Sequence, residues 1–189
     1  MNIALTGKLR SGKDSIGNYL CESYGYTRFA FGDELKRYAH ELFGVTGAKQ
    51  RELYQWFGQT MRSRDPDIWV RKCFDAIDIG VRARKRRPDL FDGPQLAVIT
   101  DLRQPNEFAR CRSEGFVIIR VNCPDSHRIA FAQAAGDDFT LADLGHETES
   151  HVDTFAVDYD VYNVGTIDEL YAQIDAIMTK LGVKKEAID

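Results

Sequence analysis

A short segment near the amino terminus has the residue types and spacing of a loop that binds phosphate. Residues 7–15 read GKLRSGKDS and fit the pattern G-x-x-x-x-G-K. The apolar residues 3–5 before it predict a strand, and Ile16, Leu20 and Tyr24, spaced four apart, predict one face of a helix. In this strand–turn–helix context the backbone N–H groups and the positive end of the helix point at the anion.

Each position in the loop has an expected task. Gly7 and Gly12 allow the backbone to curl around a phosphate, with Ser11 between them. Lys13 is expected to reach the β- and γ-phosphates of a nucleotide. The loop therefore predicts a binding site for the phosphates of a nucleotide.

A magnesium ligand is predicted directly after the loop lysine. Asp14 stands where Ser or Thr usually binds the metal, and a carboxylate is a hard oxygen ligand that can do the same work. Ser15 is the alternative, about 100° further round the helix. Asp14 adds negative charge beside the phosphates, which Lys8 and Arg10 of the same loop would offset.

A second acidic residue follows the apolar run of residues 96–99 and Thr100. Asp101 ends what is predicted to be a buried parallel strand, where an acid can hold Mg²⁺ directly or through water. The alternative is that Asp101 caps the helix predicted to begin at Pro105.

Several arginines have the chemistry to bind a second phosphate, because the planar guanidinium can bind two phosphate oxygens at once. For each of them a solvated helix face is the alternative. These arginines are Arg62, Arg64, Arg71 and Arg103.

Strand and helix patterns alternate almost to the end of the chain, which predicts a parallel sheet with helices on both faces. In such sheets ligands bind beyond the carboxyl ends of the strands, where the loop, Asp33 and Asp101 all fall. In the polar helical region that follows the second strand, Trp56, Phe57 and Trp69 are predicted core residues. Residues 124–150 have no clean periodicity and are predicted to form a lid or insertion.

Composition narrows the class of protein. The chain has 189 residues, enough for one domain, and a formal net charge of −4, which argues against a dedicated nucleic-acid binder. No apolar run has the length of a membrane span, and the first strand begins at once, so no signal peptide is expected. The scattered cysteines predict a reducing compartment. We expect a cytoplasmic small-molecule enzyme, with the basic run at residues 82–87 as solvated surface.

The motifs resemble those of one enzyme family. Residues 7–15 resemble the SGKD-type loop of bacteriophage deoxynucleoside monophosphate kinases. Further similar segments follow in order at residues 31–36 (FGDELK), 65–70 (DPDIWV), 100–107 (TDLRQPNE), 146–149 (HETE) and 163–165 (NVG). The chain is thus similar to P-loop (deoxy)nucleoside monophosphate kinases over nearly its whole length. Animal-type phosphomevalonate kinase carries a very similar loop, and dephospho-coenzyme A kinase shares the fold.

This resemblance implies a single kinase domain over residues 1–189, with a three-layer α/β fold of the nucleoside-monophosphate-kinase type. Its sheet would have five parallel strands, with helices on both faces and a mobile lid. The acceptor-binding helical region would span about residues 33–87 and the lid about 124–150. ATP and Mg²⁺ are implied as the phosphoryl donor system.

Site residues are implied at the matching positions. Lys13 and Asp14 would handle the donor phosphates and the metal, and Asn163 and Gly165 would lie near the donor adenine. The remaining matches would form the acceptor region, namely Asp33, Lys36, Arg62, Arg64, Trp69, Arg103 and Glu107.

The leading hypothesis is an ATP-dependent kinase that converts a (deoxy)nucleoside monophosphate to the diphosphate. One alternative is a kinase acting on a non-nucleotide phosphate such as phosphomevalonate or on dephospho-coenzyme A. Another is an ATP-binding regulator. No nucleic-acid or membrane partner is expected, and a homodimer stays open.

The predicted lid is poor in cations. Residues 124–150 contain one arginine, Arg128, no lysine and six acids. Kinases of the resembled fold commonly bring lid arginines onto the transferring phosphoryl group, whose charge must be stabilised. Lys8 and Arg10 are therefore predicted to supply the catalytic cations, with Arg128 as the next candidate.

Overall fold

The computed structural model describes residues 1–44, 50–87, 96–134 and 151–186. The chain divides into two compact units. The sheet unit consists of Met1–Arg28 with Leu96–Asp189, and the helical unit consists of Phe29–Gln95.

The sheet unit is built on five parallel strands in the order β2-β3-β1-β4-β5. β1 is central and pairs with β3 on one side and with β4 on the other. The strands are β1 Ile3–Thr6, β2 Tyr26–Phe29 (which ends at the boundary of the two units), β3 Leu96–Leu102, β4 Val117–Asn122 and β5 Tyr159–Tyr162. The helices of this unit are α1 Lys13–Tyr24, α5 Pro105–Ser113, α6 Asp125–Ala134 and α7 Ile167–Lys180. The predicted α/β fold with a five-stranded parallel sheet and flanking helices is confirmed.

The core explains why the apolar runs become strands. All four residues of β1 are buried, as expected for a central parallel strand covered on both faces. The apolar faces of α1 and α7 pack on the sheet through Ile16, Leu20, Leu170 and Ile174. Each such side chain stabilises the fold by about 1.5–3 kcal/mol. Burial thus fixes the end of β1, from which the phosphate loop departs.

The helical unit contains α2 Phe31–Phe43, α3 Arg51–Arg64 and α4 Ile68–Arg86. Leu35, Ala39, Phe57 and Trp69 form its buried cluster. The expectation for Phe57 and Trp69 as core residues is therefore confirmed. For Trp56 it is wrong, because α3 turns the adjacent Phe57 inward and leaves Trp56 56% exposed.

Residues 125–134 form helix α6, where the sequence pattern indicates no regular element. The reason lies on its inward face, where the buried positions are Arg128 and Ala132. An arginine at a core position breaks the apolar periodicity by which helices are recognised. Residues 135–150, which hold most of the predicted lid and the HETE segment, lie outside the described residues.

None of the helices in the described ranges combines the length and the apolar character that crossing a bilayer requires. Cys21, Cys73, Cys111 and Cys123 are all free thiols.

A polar cluster joins α1 to α7 and to the residues after it. The hydroxyls of Tyr19 and Tyr24 each donate a hydrogen bond of 2.7 Å to Oδ1 of Asp175, and Nζ of Lys185 donates one of 2.8 Å to Oδ2. Burial by itself disfavours the ionised carboxylate, but these hydrogen bonds outweigh burial and lower the pKa of Asp175. The carboxylate therefore holds together segments more than 150 residues apart, since Tyr24 and Asp175 are separated by 151 positions.

We expect Asp175→Asn to lower the free energy of unfolding by about 1–2 kcal/mol at pH 7, because two phenols and an ammonium lose their charged acceptor. A carboxylate with a lowered folded pKa stabilises above its unfolded pKa of about 3.9 and loses that effect as the pH falls through the folded pKa. Urea denaturation from pH 7 to pH 3 should therefore show the difference from the parent shrinking below about pH 4. Asp78→Asn, an exposed carboxylate on α4, is the control. An equal effect of both variants would contradict this assignment.

Candidate active site

The phosphate loop runs from the end of β1 to the start of α1, and its backbone requires both glycines. Gly7 has φ 141° and Gly12 has φ 103°, values that side chains with a Cβ rarely adopt. A Cβ on Gly7 would lie 2.5 Å from the carbonyl oxygen of Val121, and one on Gly12 would lie 2.6 Å from Nδ2 of Asn163. These contacts explain the glycine spacing physically.

Arg10 shares the left-handed conformation without being glycine. Its φ is 61°, and it is the one non-glycine residue with a positive φ in the part of the chain that the structure describes. For a side chain with a Cβ this conformation costs about 1–2 kcal/mol. Strain of this kind is concentrated at functional sites, where surrounding contacts maintain it.

Lys13, the first residue of α1, turns its head group into the loop. The side chain is only 6% exposed, and Nζ donates hydrogen bonds of 2.7 Å to the carbonyl oxygens of Gly7 and Lys8. A third contact of 3.4 Å reaches Oγ of Ser11. A buried ammonium inside a loop whose N–H groups curl around an anion is suited to binding phosphate oxygens.

Two residues that were predicted to contact the ligand instead donate hydrogen bonds to carbonyl oxygens of the loop. Arg128, predicted as a lid cation, is 1% exposed, and its Nε donates a 2.6 Å hydrogen bond to the carbonyl oxygen of Leu9. Asn163, predicted near the donor adenine, donates from Nδ2 to the carbonyl oxygen of Ser11 at 3.0 Å. No local sequence pattern predicts either contact, because the partners are 119 and 152 positions apart.

The expected contact residue Gly165 is exposed and lies in the turn between β5 and α7. The carboxylate of Glu169 lies over it while accepting a hydrogen bond of 2.8 Å from the backbone N–H of Thr166. The backbone N–H of Glu169 in turn donates a 3.3 Å hydrogen bond to the hydroxyl of Thr166, so the two residues form a capping box at the start of α7.

A cavity of about 270 Å³ lies beside the loop within the sheet unit. Lys8 lines it, and its Nζ forms an ion pair of 3.2 Å with Asp153. Arg120 also lines it, and its Nε donates a 2.7 Å hydrogen bond to Asp160, which lowers the pKa of that carboxyl. The other lining residues include Asn122, Cys123, Tyr162 and Val164.

The three candidate metal ligands lie on the two elements that meet at this edge of the sheet. Asp14 is exposed and Ser15 half-buried in the first turn of α1, and Asp101 is half-buried near the end of β3. Pairing of Thr6 with Leu102 aligns the end of β3 with the start of the loop.

The donor set suits magnesium. No group of three or more His, Cys, Asp or Glu side chains suited to a metal occurs within the described ranges. Mg²⁺ bound with a nucleotide needs only one or two protein carboxylates, because phosphates and water complete its octahedron. The hydroxyl of Thr100, directly before Asp101 in β3, is buried and has no hydrogen-bond partner among the described residues. These residues fit the group.

Arg103 and Glu107 follow Asp101 in the sheet unit. Oε2 of Glu107 accepts hydrogen bonds of 2.8 Å from the backbone N–H groups of Arg103 and Gln104, so this buried carboxylate caps α5. Nε of Arg103 is buried and has no hydrogen-bond partner in the described part of the chain. An unpaired arginine N–H is costly, and an anionic ligand would satisfy it.

The other expected acceptor residues belong to the helical unit. Nζ of Lys36 lies 4.0 Å from Oδ1 of Asp33 in the first turns of α2, and Arg62 and Arg64 lie in the last turn of α3. Trp69 is 2% exposed and its indole N–H donates to the carbonyl oxygen of Gly58 at 3.3 Å. Its ring therefore supports the unit from inside in this structure and presents no free face to a ligand.

The ion pair between Arg71 and Asp65 closes the turn between α3 and α4. Arg71, one of the arginines considered for a phosphate, is thereby placed as a contact within the turn.

No protein-family model matches the sequence, and no curated protein matches it either. Solved structures do match over nearly the whole chain. A shikimate kinase from Aquifex aeolicus has a TM-score of 0.53 and 13% identity, covering 97% of this chain and 99% of its own. A gluconokinase from Sinorhizobium meliloti has a TM-score of 0.53 and 17% identity, covering 95% and 92%. A sugar kinase from a Janibacter species has a TM-score of 0.55 and 14% identity, covering 96% and 94%.

At these identities the likeness concerns the fold alone. The matches extend over nearly the whole of each chain, so the likeness covers both the sheet and the helices. The chain has the P-loop, nucleoside-monophosphate-kinase-like α/β fold.

Proposed function

We propose that the protein is an ATP-dependent kinase that transfers the γ-phosphoryl group of ATP to a (deoxy)nucleoside monophosphate. The observation that carries the proposal is the buried ammonium of Lys13, held inside a glycine loop at the carboxyl end of the sheet. The similarity to kinases of the same fold supports phosphoryl transfer. The nucleotide acceptor is supported by the motifs that resemble bacteriophage deoxynucleoside monophosphate kinases.

Donor binding follows from the loop and the elements beside it. The N–H groups of the loop and Lys13 would bind the β- and γ-phosphates, and Asp14 or Ser15 with Asp101 would hold Mg²⁺. When bound, the metal ion neutralises charge on the phosphate oxygens. The cavity lined by Tyr162 and Val164 has room for part of the nucleoside.

The chemical step needs positioning and charge, and no covalent protein intermediate. The acceptor oxygen attacks the γ-phosphorus as the bond to the β-phosphate oxygen breaks in line with it, and ADP leaves. Cations of the loop stabilise the charge on the equatorial oxygens. Arg103 would hold the acceptor phosphate, and Asp33, Lys36, Arg62 and Arg64 are the proposed acceptor residues of the helical unit.

We expect Arg103→Lys to lower kcat/KM for the acceptor about tenfold or more, with ATP affinity nearly unchanged, because lysine retains the charge but loses the paired geometry. Steady-state kinetics with each substrate varied in turn measures the two effects. Arg110→Lys on α5, whose guanidinium pairs with the exposed Glu114 at 2.9 Å, is the matched control. Equal losses for both substrates would assign Arg103 to the donor or to the fold.

ADP release in the presence of Mg²⁺ and ATP tests the acceptor class. The panel contains deoxynucleoside and nucleoside monophosphates, phosphomevalonate and dephospho-coenzyme A, with shikimate and gluconate added because the similar structures include kinases bearing those names. We expect release with at least one monophosphate. Release with a non-nucleotide acceptor alone would replace the proposed substrate, and ATP binding without release would favour a regulator.

A further inference from the structure

Four carbonyl groups of the phosphate loop accept hydrogen bonds from side chains. A loop that turns N–H groups toward an anion leaves carbonyl oxygens that the anion cannot satisfy, and each buried one needs a donor. The carbonyls of Gly7 and Lys8 accept hydrogen bonds from Lys13. Those of Leu9 and Ser11 accept from Arg128 and Asn163, which lie outside the loop.

Arg128 is suited to a supporting role by its burial. It is the largest fully buried side chain of the described residues, at 1% exposure, and α6 carries it under the loop. Its Nη1 donates a 2.7 Å hydrogen bond to Asp125, whose side chain is 63% exposed, so the charge is balanced from the solvent side. The Nε donor is directed to the carbonyl oxygen of Leu9 at 2.6 Å.

Asn163 is held as firmly from the other side. It is 6% exposed, and its backbone N–H donates a 2.8 Å hydrogen bond to the carbonyl oxygen of Asn122 at the end of β4. Its Nδ2 reaches the carbonyl oxygen of Ser11 and lies where a Cβ on Gly12 would collide with it. The conformation of Gly12 and the position of the amide are therefore coupled.

We propose that Arg128 and Asn163 form a carbonyl clamp, a pair of positioning residues that hold the outer side of the loop so that its N–H groups face the phosphates. Neither side chain touches ATP. This inference rests on the proposed function only for its effect on ligand binding, because the clamp is a property of the loop itself. It assigns these residues roles different from the expected ones, since Arg128 was the next candidate after Lys8 and Arg10 for the catalytic cation and the resemblance implied that Asn163 lies near the adenine.

The first test measures loop order without any ligand. Backbone ¹⁵N relaxation of residues 9–12 is compared between the parent, Arg128→Met and Asn163→Ala. We expect order parameters typical of rigid backbone, about 0.85, in the parent and values falling toward about 0.6 in both variants. Gln173→Ala is the control, because its amide contacts the backbone of Tyr162 at the end of β5 but not the loop. Unchanged loop order in both variants would overturn the clamp.

The second test separates the clamp from direct ligand contacts. Titration calorimetry measures the affinity of each variant for ATP and for inorganic tripolyphosphate, a probe with neither base nor sugar. We expect each variant to bind both ligands about tenfold more weakly, the effect of one lost hydrogen bond at a charged site. If Asn163→Ala weakened the binding of ATP but not of tripolyphosphate, Asn163 would be assigned to the adenine. If Arg128→Met lowered kcat and left the affinity for ATP unchanged, Arg128 would be assigned to the transferring phosphoryl group. Either result overturns the clamp.

Two more conservative variants serve if the first pair does not fold. Arg128→Lys retains the buried charge, and Asn163→Asp retains the side-chain shape while replacing the donor by an acceptor. We expect both to reduce loop order, and full retention of order in both would contradict the proposal. A parent protein that binds neither ATP nor tripolyphosphate would refute the proposed function, while the relaxation data would still decide on the clamp.

Discussion

Replacement of Lys13 by alanine is expected to lower the rate of phosphoryl transfer at least about a thousandfold while the protein stays folded. The loss of one preorganised charged donor at a developing anion costs a factor of about 10²–10³, and Lys13 also orders the loop that supplies the N–H donors. Its Nζ lies 2.7 Å from the carbonyl oxygens of Gly7 and Lys8, and in the variant Gly7 would lose this donor while Lys8 would keep only the backbone N–H of Ser11 at 3.2 Å. We therefore also expect a loss of about 1–3 kcal/mol in stability.

Single-turnover kinetics at saturating ATP checks the rate, and circular dichroism with a thermal melt checks the fold. Lys180→Ala, an exposed lysine at the end of α7, is the control for loss of one positive charge. Near-normal turnover of Lys13→Ala would remove the proposed role of the loop. A variant that has lost its secondary structure would require the same measurement with Lys13→Met, which retains the apolar length of the side chain.

Removal of the Arg10 side chain is expected to lower kcat about a hundredfold, with a much smaller change in ATP affinity. The predicted lid carries one arginine, and the structure buries that arginine under the loop. Arg10 lies in the loop itself, in a left-handed conformation with φ 61°. Cations near the equatorial oxygens of the transferring group have to come from positions of this kind.

Two variants separate the charge from the backbone. Arg10→Ala retains the strained conformation, whereas Arg10→Gly relieves the strain. We expect Arg10→Gly to be more stable than Arg10→Ala by about 1 kcal/mol. An equal fall of kcat in both variants would attribute the effect to the guanidinium. Lys8→Ala is the comparison within the loop, since Lys8 pairs with Asp153. If Arg10→Ala, Arg10→Gly and Lys8→Ala all stay within a few-fold of the parent, Arg10 and Lys8 do not supply the catalytic cations.

The parts of the site that sequence reasoning predicts are local in the chain. The loop and the buried strand before Asp101 each depend on residues a few positions apart, so spacing and residue type suffice to recognise them. The parallel sheet with helices on both faces follows for the same reason, because it is implied by alternating strand and helix patterns.

The parts that sequence reasoning does not predict depend on contacts between distant residues. Arg128 reaches Leu9 across 119 positions, and no pattern distinguishes it from a solvated helical arginine. That inward arginine also conceals α6 from hydrophobic periodicity. Trp56 shows the opposite failure, because a large aromatic residue in a polar helix favours a core position, yet tertiary packing places Phe57 inside and leaves Trp56 exposed.

Transfer of radiolabel from [γ-³²P]ATP to a deoxynucleoside monophosphate is the most direct measurement of the central claim. The parent and Lys13→Ala are assayed side by side with Mg²⁺, and the products are separated by thin-layer chromatography. We predict that the label appears in the nucleoside diphosphate with the parent and not with Lys13→Ala. Absence of labelled diphosphate with the parent for every monophosphate, or equal labelling by both proteins, would contradict the account.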